Sequence, residues 1–189
     1  MNGESSKITL YHTGYLKLPN PDVHYGRVNA DFGQGFYTTD DHAFSLRWAR
    51  EKKGADTIIN QYVLNQSGLR IQVLERNANW FDYIYRNRNR LPDRYPDADV
   101  IIGPIANDTL FDTMGIITSG LLSPEDSLKL LMVGPEYSQI VLKSEKAASQ
   151  LNWVDAQVLS KEELDRHKML VAAEEETFLN EFAQVMETL

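Results

Sequence analysis

A histidine at the end of a short apolar strand is the first residue of this sequence that could do chemistry. The strand ends in Leu10, Tyr11, His12, Thr13 and Gly14. Alternation puts His12 on the face opposite Tyr11, and an imidazole aimed into a cleft can hydrogen-bond a ribose hydroxyl. The turn at Thr13 and Gly14 could bind a carboxamide through its backbone, because glycine allows close approach. The alternative is a buried core histidine whose hydrogen bonds are satisfied.

The second candidate segment is residues 31–39, which read DFGQGFYTT. Phe36 and Tyr37 are neighbours in a strand, so one side chain can enter the core while the other meets a ligand. A tyrosine ring can stack on nicotinamide, and a pyridinium cation adds a cation–π interaction. Asp31 could fix the loop by an Asx turn. The alternative is an ordinary aromatic strand in a hydrophobic core.

Gln139 is the third candidate, at the start of the apolar run QIVL. Its amide can hydrogen-bond a ribose hydroxyl but carries no charge. In a regular strand Tyr137 shares its face and Glu136 does not. The alternative is a glutamine on an edge strand that faces water.

Together these segments predict a nicotinamide-dinucleotide pocket that differs from the Rossmann design. The pair Gly33 and Gly35 lacks the third glycine of that fingerprint and precedes a strand instead of following one. The histidines show no metal-ligand spacing, and no Gly-x-Ser-x-Gly elbow is present. We therefore expect no metal at the site.

Composition limits the classes of protein further. The chain has 189 residues, no cysteine, a net charge of −8 and a pI near 5.0. It fits one domain, or one domain with an appendage, and the lack of cysteine fits a reducing cytoplasm. Nonspecific nucleic-acid binding needs a basic face. The basic cluster is interpreted as a solvated helix end and consists of Arg86, Arg88, Arg90 and Arg94.

No stretch approaches the roughly 20 apolar residues of a membrane span, and the polar N-terminus lacks a signal-peptide core. A cytoplasmic protein is therefore expected. Strands are predicted at residues 8–11, 35–39, 57–64, 70–74, 100–102, 138–142 and 154–159. The third and fourth of these are expected to form a hairpin, because the turn residues NQSG separate them.

Helices are predicted where capping residues precede apolar periodicity. These are a helix capped by Asp40 or Asp41 and helices at residues 79–88, 109–118 (capped by Asp108), 124–133, 145–151 and 160–189. The helix at residues 79–88 should bury Trp80, Phe81, Ile84 and Tyr85. The last begins with a capping box at Ser160 and carries the apolar stripe Phe178, Phe182, Val185 and Leu189. The predicted fold class is α+β, with a domain at 1–159 and a C-terminal helix at 160–189 packed on it or on a partner.

Four segments together resemble the ADP-ribosyltransferase superfamily, and within it a bacterial family of domains of unknown function. They are residues 10–14, 31–39, 98–108 and 139–142. The resemblance implies an ADP-ribosyltransferase-like split β-sandwich around an NAD⁺ cleft, with helices outside. In the branch of diphtheria toxin and the poly-ADP-ribose polymerases the motif is His, Tyr and Glu. It falls here on His12, Tyr37 and Gln139.

By this resemblance His12 would bind a ribose, Tyr37 would stack on nicotinamide and Gln139 would orient the nicotinamide ribose. NAD⁺ would also contact Tyr11, Thr13, Gly14, Asp31, Gly35, Phe36 and Thr38. Glutamine in place of glutamate keeps a hydrogen bond but loses a charge. Gln139 could support a slower or different transfer, Glu136 could supply the charge, or the domain could bind NAD⁺ without turnover.

The resemblance implies an NAD⁺-dependent ADP-ribosyltransferase with NAD as co-substrate. Its acceptor would be a macromolecule, a protein rather than nucleic acid, and its role that of a toxin or antiviral effector with an antitoxin partner. The alternatives are an inactive NAD-binding or partner-binding module and an NAD⁺ glycohydrolase. The loop at residues 16–31 contains Pro19, Pro21 and Gly26, a composition compatible with a lid, but the sequence does not show whether the loop closes over a ligand.

Overall fold

Two β-sheets dominate the described part of the chain, residues 6–107 and 122–189 of a computed structural model. Its strands are β1 (Lys7–Gly14), β2 (Phe36–Thr38), β3 (Ile58–Asn65), β4 (Ile71–Val73), β5 (Val100–Pro104), β6 (Ser138–Leu142) and β7 (Leu151–Val158). One sheet has the order β1-β3-β7 and is antiparallel, and the other has the order β2-β6-β5-β4. In the second sheet only the β4–β5 pair is parallel.

The two sheets are joined by a backbone bridge next to β2. The N–H of Tyr11 donates to the carbonyl of Thr39 at 2.8 Å, and the N–H of Thr39 donates back at 3.0 Å. Because Tyr11 lies in β1 and Thr39 directly follows β2, the bridge sets the edges of the two sheets side by side. Residues of both sheets can therefore face one space.

Five helices lie in the described ranges: α1 (His42–Arg47), α2 (Ala78–Arg88), α3 (Pro124–Leu131), α4 (Glu145–Ser149) and α5 (Lys161–Met186). The predicted caps are confirmed at Asp41, Ser123 and Ser160, and the last forms a capping box with Glu163. The fold class α+β and the C-terminal helix are thereby confirmed. The predicted helix 109–118 and its cap Asp108 lie outside the described residues.

The hydrophobic core of the described residues has three clusters: one between the sheets, one under α2, and one where Phe178 and Phe182 of α5 pack on Leu130 of α3. In α2 the buried residues include Trp80, Tyr83 and Ile84, and the indole N–H of Trp80 donates to the carbonyl of Pro104 at 2.8 Å. The prediction that Tyr85 points inward is wrong, since it is 54% exposed and Tyr83 takes the inner position. The buried face of the helix is thus rotated from Tyr85 toward Tyr83, while Phe81 is partly buried as predicted.

The predicted hairpin of the third and fourth strands is wrong. β3 pairs with β1 on one side and β7 on the other, so neither of its edges is left for β4. β4 instead lies at the edge of the second sheet beside β5. The turn itself is present, with Gly68 at a φ of +72°, but it passes the chain from one sheet to the other.

Candidate functional site

A cavity of about 440 Å³ opens where the two sheets meet. Its walls come from β1, the loop before β2, β2 itself, α1 with the chain after it, and β6. The residues expected from the sequence that line it are Tyr11, His12, Thr13, Gly14, Asp31, Tyr37, Thr38 and Gln139. The structure therefore brings all three positions of the His-Tyr-Gln pattern to one space.

The His12 side chain is held in one orientation by its Nδ1 atom, which lies 2.8 Å from the carbonyl oxygen of Tyr37. A carbonyl can only accept, so Nδ1 carries the proton. Burial lowers the pKa of His12, although the hydrogen bond to Tyr37 opposes this, so the ring is neutral at pH 7. Its Nε2 atom is then a hydrogen-bond acceptor, suited to a hydroxyl group.

Gly14 keeps the Nε2 atom of His12 accessible. A Cβ at Gly14 would lie 3.3 Å from that nitrogen, which is tighter than ordinary van der Waals contact. The predicted turn at Thr13 and Gly14 is wrong, because β1 continues through Gly14. The close approach of a ligand to this glycine stays a prediction.

Tyr37 and Phe36 face opposite ways, as the strand alternation predicts. The Tyr37 ring lines the cavity, and its hydroxyl donates to the carbonyl of Gly33 at 2.7 Å and accepts from the N–H of Phe32 at 3.0 Å. Burial raises the pKa of this phenol above its ordinary range, so it remains protonated. The Tyr37 hydroxyl therefore ties the loop before β2 to the ring that faces the cavity.

Phe36 and Gly35 do not line the cavity, contrary to the expectation that they contact a ligand there. Phe36 is buried between the sheets, and its ring centroid lies 5.6 Å from that of Tyr62. A Cβ at Gly35 would lie 2.6 Å from Cγ1 of Val141 and 2.7 Å from the carbonyl oxygen of Leu142. Gly35 is thus required by the close packing of β2 on β6.

Gln139 belongs to an inner strand, because β6 lies between β2 and β5. It is 6% exposed, so the interpretation as a water-facing edge residue is wrong. Its Nε2 atom is buried and has no hydrogen-bond partner among residues 6–107 and 122–189. Such an unsatisfied donor costs about 1–3 kcal/mol, so its retention beside a cavity suggests a ligand as its partner.

Glu136 was the alternative source of negative charge at this site. The structure places it on the exposed surface and outside the cavity lining, where its charge acts on Arg76 and opposes the lowering of that residue's pKa by burial. The geometry therefore favours Gln139 over Glu136 as the group facing a ligand.

Asp31 lines the cavity but its carboxylate is engaged. Oδ1 accepts from Nε of Arg88 at 2.8 Å, and the two side chains are only 10% and 12% exposed. The Asn87 amide also donates to the Asp31 carbonyl at 3.0 Å. The interpretation of Arg88 as part of a solvated helix end is therefore wrong, because this arginine anchors the loop before β2.

Several cavity residues were not singled out from the sequence. They are Tyr15, Arg27, Ala30, Thr39, Phe44, Ser45, Trp48, Arg50, Thr57 and Ile105. The spacing of Phe44 and Trp48 had indicated only a helix face. Their position at the cavity depends on how α1 docks against β1, where the Thr13 hydroxyl donates to the carbonyl of Ser45 at 2.5 Å. No local pattern reports such docking.

Within 6–107 and 122–189 no group of three or more His, Asp or Glu side chains is arranged to hold a metal ion. Among the helices in those ranges, none combines the length and the apolar character needed to cross a membrane.

Comparison with known proteins gives one match. The model of a family described as Protein of unknown function (DUF3990) matches residues 8–153. No curated protein and no solved structure matches the chain. The matched span includes every residue that lines the cavity and ends before α5 begins.

Proposed function

The chain belongs to the DUF3990 family of proteins of unknown function, and we propose that it is an NAD⁺-dependent ADP-ribosyltransferase. The observation that carries this proposal is the convergence of His12, Tyr37 and Gln139 on one cavity, from three strands in two sheets. The ADP-ribosyltransferase-like split sandwich, with the NAD⁺ cleft between its sheets, is part of the proposal.

NAD⁺ binding would use the groups that the fold leaves available. The Nε2 atom of neutral His12 accepts a hydrogen bond from a ribose hydroxyl. The Tyr37 ring stacks on the nicotinamide, and a positively charged pyridinium gains a cation–π interaction there. The backbone groups of Thr13, which face away from β3 as those of Tyr11 do, take the carboxamide, and Gly14 leaves room for the ligand to approach them.

In the reaction, the bond between the nicotinamide nitrogen and C1′ of the ribose breaks, and its electron pair leaves with nicotinamide. A nucleophile of the acceptor then bonds to C1′ and releases its proton to water. The Gln139 amide donates to the nicotinamide-ribose hydroxyl and orients the sugar. Because it is neutral, it stabilises the cationic transition state less than a carboxylate would, so we expect slow turnover.

The acceptor we propose is a protein rather than a nucleic acid, since the chain carries a net charge of −8. A cytoplasmic role as a toxin or antiviral effector with an antitoxin partner is proposed by analogy with similar small domains. NAD is the co-substrate in this proposal, and no metal takes part.

A second function is favoured by the neutral Gln139 side chain and by the ion pair that engages the Asp31 carboxylate. Asp31 is the one carboxylate among the described residues that line the cavity, and it pairs with Arg88. A site without a free carboxylate could bind NAD⁺ and not cleave it. The protein would then be an NAD⁺ sensor or a partner-binding module. An NAD⁺ glycohydrolase would differ from the first proposal only in using water as the acceptor.

The test is nicotinamide release from NAD⁺ by the purified protein, followed by chromatography. His12→Ala and Gln139→Ala should abolish release. His24→Ala and Gln157→Ala are the matched controls, since both residues are exposed and lie outside the cavity. Saturable NAD⁺ binding without nicotinamide release would favour the sensor. If the protein showed no NAD⁺ binding and no release, both proposals would be refuted.

A further inference from the structure

A carboxylate of the C-terminal helix α5 contacts α1, which forms part of the cavity wall. Both oxygens of Glu174 pair with the guanidinium group of Arg47 on α1. The hydroxyl of Tyr137 also lies 3.1 Å and 3.2 Å from the two oxygens and donates to the carboxylate. Glu174 thus joins α1 to the chain just before β6. It lies beyond residues 8–153, the part that the family model covers.

These contacts continue to the cavity. The Tyr137 ring is stacked on Phe44, with centroids 4.4 Å apart and planes at 23°, and the Arg47 guanidinium lies 4.9 Å from the centre of the Tyr137 ring. Phe44 lines the cavity. Tyr137 precedes Gln139 by two residues, and its carbonyl accepts from the N–H of Ile105 at 2.7 Å. The Glu174 carboxylate therefore holds the Tyr137 ring. That ring packs on Phe44 in one cavity wall, and its backbone leads into the strand that carries Gln139 in another.

A helix-anchoring ion pair is the competing explanation for these contacts. The Arg47 and Glu174 side chains are 24% and 32% exposed, and an ion pair at such a site contributes only about 0–1 kcal/mol to stability. A reacting group displaced by about 1 Å, in contrast, can cost on the order of 100-fold in rate. A helix anchor therefore predicts that loss of Glu174 slightly lowers stability and leaves the rate unchanged. A positioning role predicts that the rate falls markedly.

We propose that Glu174 is a positioning residue for the reaction at the cavity, an inference that rests on the proposed function. It acts through Tyr137, whose ring and hydroxyl fix the start of β6 and with it the direction of the Gln139 amide. The His12 and Tyr37 groups that bind NAD⁺ lie on β1 and β2 and make none of these contacts. Loss of Glu174 should therefore affect catalysis more than NAD⁺ binding.

The experiment compares Glu174→Ala with Glu176→Ala in the full chain. Glu176 lies on the same helix, is exposed and makes no contact that links it to α1 or β6 among the described residues. Alanine suits a helix interior, so both variants should fold. Glu174→Ala should lower kcat for nicotinamide release about ten-fold and change KM by less than about two-fold. Glu176→Ala should match the wild type in both.

Tyr137→Phe provides a second, milder variant, because it removes only the hydroxyl and keeps the stack on Phe44. It should lower kcat in the same direction, and combination with Glu174→Ala should add little, since both act along one path. Equal kcat for Glu174→Ala and Glu176→Ala, with an active wild type, would overturn the inference alone. A wild type that releases no nicotinamide would overturn the proposed transfer and this inference together.

Discussion

His12 and Tyr37 lie on strands of different sheets, and the imidazole Nδ1 of His12 donates a hydrogen bond to the Tyr37 carbonyl 2.8 Å away. The bond crosses the junction of the sheets beside the cavity. It fixes the histidine tautomer, since only Nδ1 can then carry the proton of the neutral ring. The same contact thus places the atom that we propose binds a ribose and the ring that we propose stacks on nicotinamide.

Burial of His12 should make stability depend on pH. Its pKa lies below the ordinary value of 6.5, so as pH falls through 6.5 the unfolded chain binds a proton that the folded chain does not. The folded state therefore loses stability on acidification. We expect the stability advantage of wild type over His12→Gln to shrink between about pH 7.5 and about pH 5.5 in urea titrations. The stability difference between wild type and His24→Gln, a substitution at an exposed histidine, is the control. An equal change with pH in both stability differences would contradict the prediction.

Phe36 and Tyr37 should respond differently to the same substitution. Phe36→Leu removes a buried ring from the core and should lower the free energy of unfolding by about 1 kcal/mol. That ring also packs on His12, with ring centroids 4.6 Å apart, so we expect NAD⁺ affinity to fall by less than about two-fold. Tyr37→Leu removes the ring that lines the cavity and should weaken NAD⁺ binding about ten-fold, because stacking contributes roughly 1 kcal/mol or more. Calorimetry on both variants decides, and weaker binding by Phe36→Leu alone would show that the assignment of faces is wrong.

Local sequence signals predicted most of the elements. The caps at Asp41, Ser123 and Ser160 and the strand at residues 138–142 depend on a few neighbouring residues, and all are confirmed. The hairpin of β3 and β4 failed because strand pairing is decided by burial across the sheet, whereas a turn specifies only where the chain reverses.

The candidate site likewise contains residues that the sequence identified and residues that it could not. His12 and Tyr37 could be found from strand alternation and from a family resemblance, and both do line the cavity. The unsatisfied amide of Gln139 depends on β6 being an inner strand, which the sequence did not indicate. The contacts of Arg88 with Asp31 and of Glu174 with Arg47 depend on how helices dock against distant parts of the chain, and no local spacing indicates that.

Two glycines of the predicted site should prove to have different roles. Gly14→Ala places a Cβ 3.3 Å from His12 Nε2, so it should weaken NAD⁺ binding by more than about ten-fold with less than about 1 kcal/mol of destabilisation. Gly35→Ala forces a Cβ against Val141 and the β6 backbone, so it should cost about 2–3 kcal/mol and leave the affinity of the folded protein unchanged. Urea unfolding and calorimetry separate the two effects. If both variants lost stability and NAD⁺ affinity to the same extent, the two glycines would not have different roles.

Gln139 should show a conflict between stability and activity. Methionine is close to glutamine in volume but carries no amide, so Gln139→Met removes the buried donor that has no partner among the described residues. An unsatisfied buried polar group costs about 1–3 kcal/mol, and we expect the variant to be more stable than wild type by about 1 kcal/mol in urea unfolding.

The same variant should release no nicotinamide, because the group that orients the ribose is gone. Gln157→Met is the matched control on the exposed surface of β7, and it should change neither property. A stability gain together with lost release would mean that the fold keeps a costly amide for its ligand. A stability loss in Gln139→Met would mean that the amide is satisfied in the folded protein, and the argument that places it against a ribose would fail.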